Sequence, residues 1–360
     1  MQRAFAQTPF GQPINNEQSS GVANETWARY GVNQSSAMQK GQRSVVTPSR
    51  SRAEAARIIA RGSKSFALAS RLLPEGARAD ASLIYSWCRY VDDAIDTSAP
   101  SKRSRALQDL RQQLTEFYGV QALGNPLWEA LREVLVRRNI PMVHLSTLLD
   151  GMQMDVERTA YETLDDLLLY CHRVAGVVGW LMVGVLGISN RRALRAAAHL
   201  GIGMQLTNIC RDVLEDWDNQ RLYLPNDRLT SHGAPDLRLR LGAAFPRQEW
   251  RAVASTVDEL LTAADKFYRH GDEGMLALSA RAAMAVRAAR LVYSAIGDRI
   301  RAANCDVLRG RAVVPTTQKL LLLGRATAET LRELPLRTRT PHVELSLDFV
   351  PTYPDDLLPW

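Results

Sequence analysis

Two stretches of this chain set carboxylates into helices that otherwise read as core. In YSWCRYVDDAID, Tyr85, Arg89, Asp92 and Asp96 stand at i, i+4, i+7 and i+11 and so share one helix face, with Asp93 beside them. In GIGMQLTNICRDVLEDW, Gln205, Asn208, Asp212 and Asp216 repeat the pattern at i, i+3, i+7 and i+11. Their neighbours are apolar: Leu83, Ile84, Trp87, Val91 and Ile95 in the first, Leu206, Ile209, Val213 and Leu214 in the second. Carboxylates one turn apart repel by a few tenths of a kcal/mol on an exposed helix and by more when desolvated, so something must relieve them. Intrahelical pairs, Arg89 with Asp93 and Arg211 with Glu215, would be the ordinary answer. The amides of Gln205 and Asn208 suggest a different one, because they add neutral oxygens where basic partners would otherwise stand. Hard divalent cations take such oxygen sets, and Mg²⁺ combines one or two carboxylates with phosphate oxygens.

The rest of the chain reads as helix throughout. Of its 360 residues 46% are hydrophobic, and apolar positions recur at helical spacing with no run of alternating strands, so the expected class is all-α. The breaks (LLPEGA, TSAPS, YGVQALGNP, RNIP, GISN, SHGAPD) are short, as connections in one compact helical bundle tend to be. We place that domain at 51–325. Before it, residues 1–50 are rich in Gln, Asn, Ser and Gly and read as a disordered extension without the apolar core of a signal peptide. After it, 326–360 is Pro-rich and reads as a partly irregular tail. The longest uncharged run, 174–190, is shorter than a bilayer span and reads as a buried helix. Its Gly176, Gly179 and Gly184 suit close approach of either another helix or a ligand.

A net charge of +7 suits an anionic ligand or an anionic membrane surface. No nucleic-acid partner is expected, because the arginines are interleaved with acids and no basic stripe carries stacked aromatics. Cys88, Cys171, Cys210 and Cys305 stand alone and fit a reducing, cytoplasmic setting. No His pair has ligand spacing, which argues against zinc.

The segments SKSFALASRLLP, YSWCRYVDDAIDT, YCHRVAGVVGWL and QLTNICRDVLEDWDNQRLYLP, in this order and spacing, resemble the squalene/phytoene synthase family over about residues 63–319. DDxxD alone also resembles other prenyl synthases; the NxxxDxxxD motif followed by Arg221, Tyr223 and Pro225 discriminates. The resemblance implies a single all-α bundle of the isoprenoid synthase type around a central apolar cavity, and a Mg²⁺-dependent prenyltransferase (Mn²⁺ as a substitute) that joins two prenyl diphosphates head to head. Asp92, Asp96, Asp212 and Asp216 would bind metal, supported by Asp93 and Asn208. Arg89, Arg221 and Arg311 would clamp the diphosphate, and Tyr85, Tyr170, Tyr223 and Tyr293 would shield a carbocation. Ser65, Phe66, Val178, Gly179 and Gln205 would border the substrate.

RYVDDAID and VAGVVG resemble bacterial carotenoid enzymes, which implies geranylgeranyl diphosphate as substrate, a phytoene product and no NADPH. The alternatives are a squalene or dehydrosqualene synthase using farnesyl diphosphate and, in another class, a non-catalytic assembly factor with the same fold. The oily product implies peripheral membrane contact, although no segment stands out for it. The family pattern is broken in two places: His172 stands where a second aromatic is frequent, and ALSARAAMA opens a helix often preceded by Leu-Pro.

Overall fold

The computed structural model describes residues 67, 69–117, 126–188 and 191–337, and among them every regular element is helical. Helix α1 (Glu75–Asp96) follows Pro74, whose fixed φ suits a helix entry, and buries Leu83, Ile84, Trp87, Val91 and Ile95 along one side. Helices α2 (Arg103–Phe117), α3 (Pro126–Arg137) and α4 (Val143–Glu157) pack around it. Trp128 lies edge-on to Trp87 and Phe117 at 5.7 and 5.4 Å, closing one core.

Helix α5 (Leu164–Cys171) begins with a capping box in which Thr163 and Asp166 satisfy each other's backbone N–H groups. It runs through a π turn (His172–Gly176) into α6 (Val177–Val185). The central element is α7 (Arg191–Asp218), which packs against α6, the π turn, α9 (Trp250–Asp272) and α10 (Ala280–Ala302). The short α8 (Asn226–Ser231) lies between α7 and α9 in sequence. A second core gathers here, with Trp217, Phe267 and Tyr268 fully buried. The break in the family pattern before α10 is bridged locally, since Ser279 Oγ accepts from the Ala282 N–H at 3.3 Å and caps the helix.

Small residues set the crossing of α6 and α7. A Cβ on Gly179 would fall well inside contact distance of the Ala197 carbonyl oxygen, and one on Gly201 would do the same to Ala175. Gly179 faces a helix backbone, and its half-buried neighbour Val178 packs against the core around α1 and α4. Gly179→Ala is therefore expected to cost about 2–3 kcal/mol, because forced separation of two packed helices outweighs the roughly 1 kcal/mol gained in helix propensity. Denaturant unfolding would measure it.

The continuous helical run Leu164–Val185 is, contrary to expectation, long and apolar enough to cross a membrane, although 56% of its apolar window is buried within this protein. The sequence reading stopped at Arg173, whereas the helix does not. Helix α11 (Thr316–Arg332) runs across residue 325, with Ala326 and Thr330 buried, and α12 (Leu334–Arg337) follows. Buried Arg287 of α10 holds this end, donating to Thr330 at 3.2 Å and to Glu333 at 2.6 Å. Residues 1–50, Ser65, Phe66 and the chain after 337 lie outside the described residues.

Candidate active site

The two acidic helices meet where the two cores adjoin. A cleft of about 360 Å³ is lined by Tyr85, Cys88, Arg89 and Asp92 from α1 and by Gln205, Asn208, Ile209, Asp212 and Asp216 from α7. Leu148, Met152 and Asp155 of α4, with Tyr170, Val174, Arg221 and Tyr223, complete the wall. A larger hollow of about 520 Å³, lined by Asp165, Asp227, Arg228, Glu259 and Lys266, lies away from both ladders. Arg228 there is already within 3.7 Å of Asp227 and of Glu259.

Matching helix ends hold the cleft's geometry. Helix α7 stops because Gln220 takes a left-handed conformation (φ 58) and the Arg221 N–H returns to the Asp216 carbonyl at 2.8 Å. Helix α4 stops the same way, with Arg158 at φ 53 and the Thr159 N–H on the Met154 carbonyl at 2.9 Å. Arg158 donates to the Gln220 side chain at 3.1 Å, tying the two caps together. This fold-back directs Arg221 across the mouth, where Nη2 meets Asp96 Oδ1 of α1 at 2.6 Å.

Every ladder is met by arginine. Arg89 reaches Asp92 at 2.9 Å and Asp93 at 2.5 Å, which includes the expected intrahelical pair. Arg211 turns to Asp212 at 2.5 Å in place of Glu215, which is met by Arg311 at 3.2 Å. Arg311 also lies 3.0 Å from Asp212. Asp155 is bonded differently: Tyr223 donates to Oδ1 at 2.5 Å and Tyr170 to Oδ2 at 3.0 Å. These two rings stack with centroids 5.1 Å apart, and Tyr161 stacks on Tyr223 at 5.8 Å.

The arginines do not discharge the site. Burial, reinforced by Asp96, pushes Asp92 up to about 6 despite Arg89. Burial, reinforced by Asp212, pushes Asp216 up to about 7 despite Arg221. Burial also raises Asp155, opposed by Arg221 and by the two tyrosine hydrogen bonds. Carboxyls raised in the folded state bind more protons folded than unfolded, so their contribution is present below the ordinary carboxyl range and lost as pH rises through about 6 and about 7. The metal-free protein should therefore melt at a lower temperature at pH 8 than at pH 5.5, and calorimetry without divalent ions would show it.

A family model for squalene/phytoene synthase matches residues 59–318. The chain belongs to the squalene/phytoene synthase family. It is 38% identical over 254 residues to a 15-cis-phytoene synthase from Paracoccus sp., covering 69% of this chain and 81% of that one. With a 15-cis-phytoene synthase from Enterobacter agglomerans it shares 35% identity over 263 residues, covering 71% and 87%. Among solved structures, a dehydrosqualene synthase superposes with a TM-score of 0.70 at 27% identity, over 79% of this chain and 98% of that one. The fold is thus the all-α fold of this prenyltransferase family.

Of the residues that the squalene/phytoene synthase motifs singled out, Tyr85, Arg89, Asp92, Tyr170, Gln205, Asn208, Asp212, Asp216, Arg221 and Tyr223 line the one cleft. Asp96, Asp93 and Arg311 sit on its rim through ion pairs. Tyr293 is buried behind α7, bonded by Asn208, and burial raises it to about 12. Val178 and Gly179 lie in helix packing, as described above. The sequence reading missed Asp155, Met152, Leu148 and Val174. An acid at the end of the helical run GMQMDVE was the available signal for the first.

Among the described residues no group of three His, Cys, Asp or Glu side chains could hold an ion alone. The oxygens nevertheless suit Mg²⁺ completed by phosphate, since carboxylates approach from two helices and Asn208 Oδ1 is buried without a hydrogen-bond partner.

Proposed function

We propose that this chain is a phytoene synthase. Two geranylgeranyl diphosphates condense to prephytoene diphosphate, releasing one diphosphate and one proton. The intermediate then ionises, rearranges and loses a second proton to give phytoene and a second diphosphate. The observation that carries the reading is the convergence of Asp92 and Asp216, from helices far apart in sequence, on one cleft rimmed by arginines.

Departure of diphosphate from an allylic carbon leaves a carbocation, so the leaving group's charge must be held as it forms. Mg²⁺, or Mn²⁺ in its place, would supply that Lewis acidity when held by Asp92, Asp96, Asp212, Asp216 and Asn208, with Asp93 in support. Arg89, Arg221 and Arg311 exchange carboxylate partners for phosphate oxygens, for which the planar guanidinium fork is suited. Tyr85, Tyr170 and Tyr223 in the cleft wall would shield the cation from water, while Leu148, Met152, Val174 and Ile209 would meet the prenyl chain.

The structural likeness to a dehydrosqualene synthase favours one second reading, condensation of farnesyl diphosphate to a C30 product. Incubation with Mg²⁺ and each diphosphate, with and without NADPH, followed by mass identification of the hydrocarbon, decides between them. A C40 product formed without NADPH is expected; preference for farnesyl diphosphate overturns the assignment.

A further inference from the structure

Helix α11 leaves an apolar strip uncovered on its outer side. Leu321 is 74% exposed, Leu331 58% and Leu320 56%. With the exposed Gly324 and Ala328 they share one face at helical spacing, about 17 Å long at the usual rise per residue. Arg325 beside the strip is closed by Glu329 of the same helix at 2.7 Å, so the face offers apolar surface more than charge. A Cβ on Gly324 would meet nothing within 4 Å. Glycine weakens a helix at such a position, and its use there suits the close passage of another backbone. Single exposed leucines are ordinary on a protein, but a contiguous strip on one helix marks a contact surface.

The chain itself supplies a segment that fits the strip. Arg337 is fixed beside the end of α11, donating to the Met275 and Leu278 carbonyls at 2.6 and 2.7 Å and to Glu333 at 2.7 Å. Residues 338–360 follow it. Between Pro341 and Pro351 their sequence alternates strictly: Val343, Leu345, Leu347 and Phe349 fall on one side of an extended chain, Glu344, Ser346 and Asp348 on the other. Extended, 343–349 measures about 20 Å, a match for the strip. Residues 338–342 can reach up to about 17 Å, enough to turn back from Arg337 to Leu331, six positions earlier.

We propose that residues 343–349 lie extended along the outer face of α11, antiparallel to it, with Val343 toward Leu331 and Phe349 toward Leu320. The apolar side of the segment covers the leucines and Glu344 and Asp348 stay in water. The short tether selects this occupant over a second copy of the chain, because it holds the segment at an effective concentration of about a millimolar, far above that of another molecule in dilute solution. The proposal stands apart from the reaction, and its test needs no substrate.

The test is photo-crosslinking of the full chain carrying Phe349→p-benzoylphenylalanine at micromolar concentration, followed by peptide mapping of the monomer and dimer bands. The crosslink should fall on residues 316–332 within the monomer, and Leu320→Ser, Leu321→Ser and Leu331→Ser together should lower its yield about ten-fold with the helix content unchanged. In the otherwise native chain, Leu345→Asp with Leu347→Asp should lower Tm by about 2–6 °C, whereas Glu344→Gln with Asp348→Asn, on the other side of the same segment, should leave it unchanged. A crosslink to any other part of the chain, no crosslink, an undiminished yield in the serine variant, or equal Tm in the two tail variants overturns the proposal. So does a crosslink to 316–332 found in the dimer band alone, which would assign the face to a second copy.

Discussion

Asp212→Asn is expected to lower kcat by about 10³-fold while leaving the helix content intact. Asp212 occupies the middle of the second ladder, 16% exposed, and Arg211 and Arg311 both reach its carboxylate, at 2.5 and 3.0 Å. The amide keeps the shape but removes one negative charge from the group proposed to hold the ions, so the leaving diphosphate loses charge compensation where it is needed most. Stability should move the other way. With Asp212 neutral, the repulsion that helps hold Asp216 up at about 7 is relieved, and the metal-free variant should melt no lower than the wild type at pH 8. Steady-state kinetics with saturating Mg²⁺ and a thermal scan of the same sample test both halves. Near-normal turnover would remove Asp212 from the ion-binding set.

The second large effect is expected at Asp155, which no motif announces. Its two oxygens accept from Tyr170 and Tyr223, and those rings form part of the cleft wall. Asp155→Leu leaves the buried Tyr223 phenol without an acceptor, at about 1–3 kcal/mol, and Tyr170 with only its long bond to the Tyr223 hydroxyl at 3.4 Å, partly offset by removing a buried carboxylate. Asp155→Asn keeps an acceptor for one phenol and should unfold within about 1 kcal/mol of the wild type. Both should lose about 10- to 100-fold in kcat, the range found when a group that orients a reacting shell is changed. The asparagine variant separates the two causes. If the carboxylate only packs the tyrosines, activity follows stability and the asparagine form is nearly normal. If it sets their orientation toward the substrate, kcat falls with little change in the unfolding midpoint.

The contrast between Asp212 and Asp155 shows why part of the site was legible in the sequence. Asp92, Asp96, Asp212 and Asp216 stand on regular helical spacings amid apolar residues, so periodicity alone put each set on one face, and motif order supplied the pairing between sets. Asp155 takes its meaning from Tyr170 and Tyr223, 15 and 68 residues away, and local spacing carries no trace of such contacts. Arg221 is intermediate. The motif marked it, but its reach to Asp96 depends on a left-handed turn at Gln220, a residue type that does not advertise that conformation. Gly179 illustrates an ambiguity of principle, since a missing Cβ admits a ligand or a helix with the same ease, and only the position of Ala197 decides. The helix that crosses residue 325 was hard to read for a related reason: four consecutive leucines, 320–323, put leucine on every side of α11, with Leu322 and Leu323 packed inward and Leu320 and Leu321 exposed.

On the proposed reading the two acidic helices hold one ligand between them. Calorimetric titration of Mg²⁺ with inorganic diphosphate into the wild type, Asp92→Asn, Asp216→Asn and the double variant tests this without any prenyl chain. Each single substitution should weaken binding at least about ten-fold, and the double variant should lose clearly less than the sum, a coupling of about 0.5–3 kcal/mol. Independent, fully additive losses, or unchanged binding in Asp92→Asn, would contradict it.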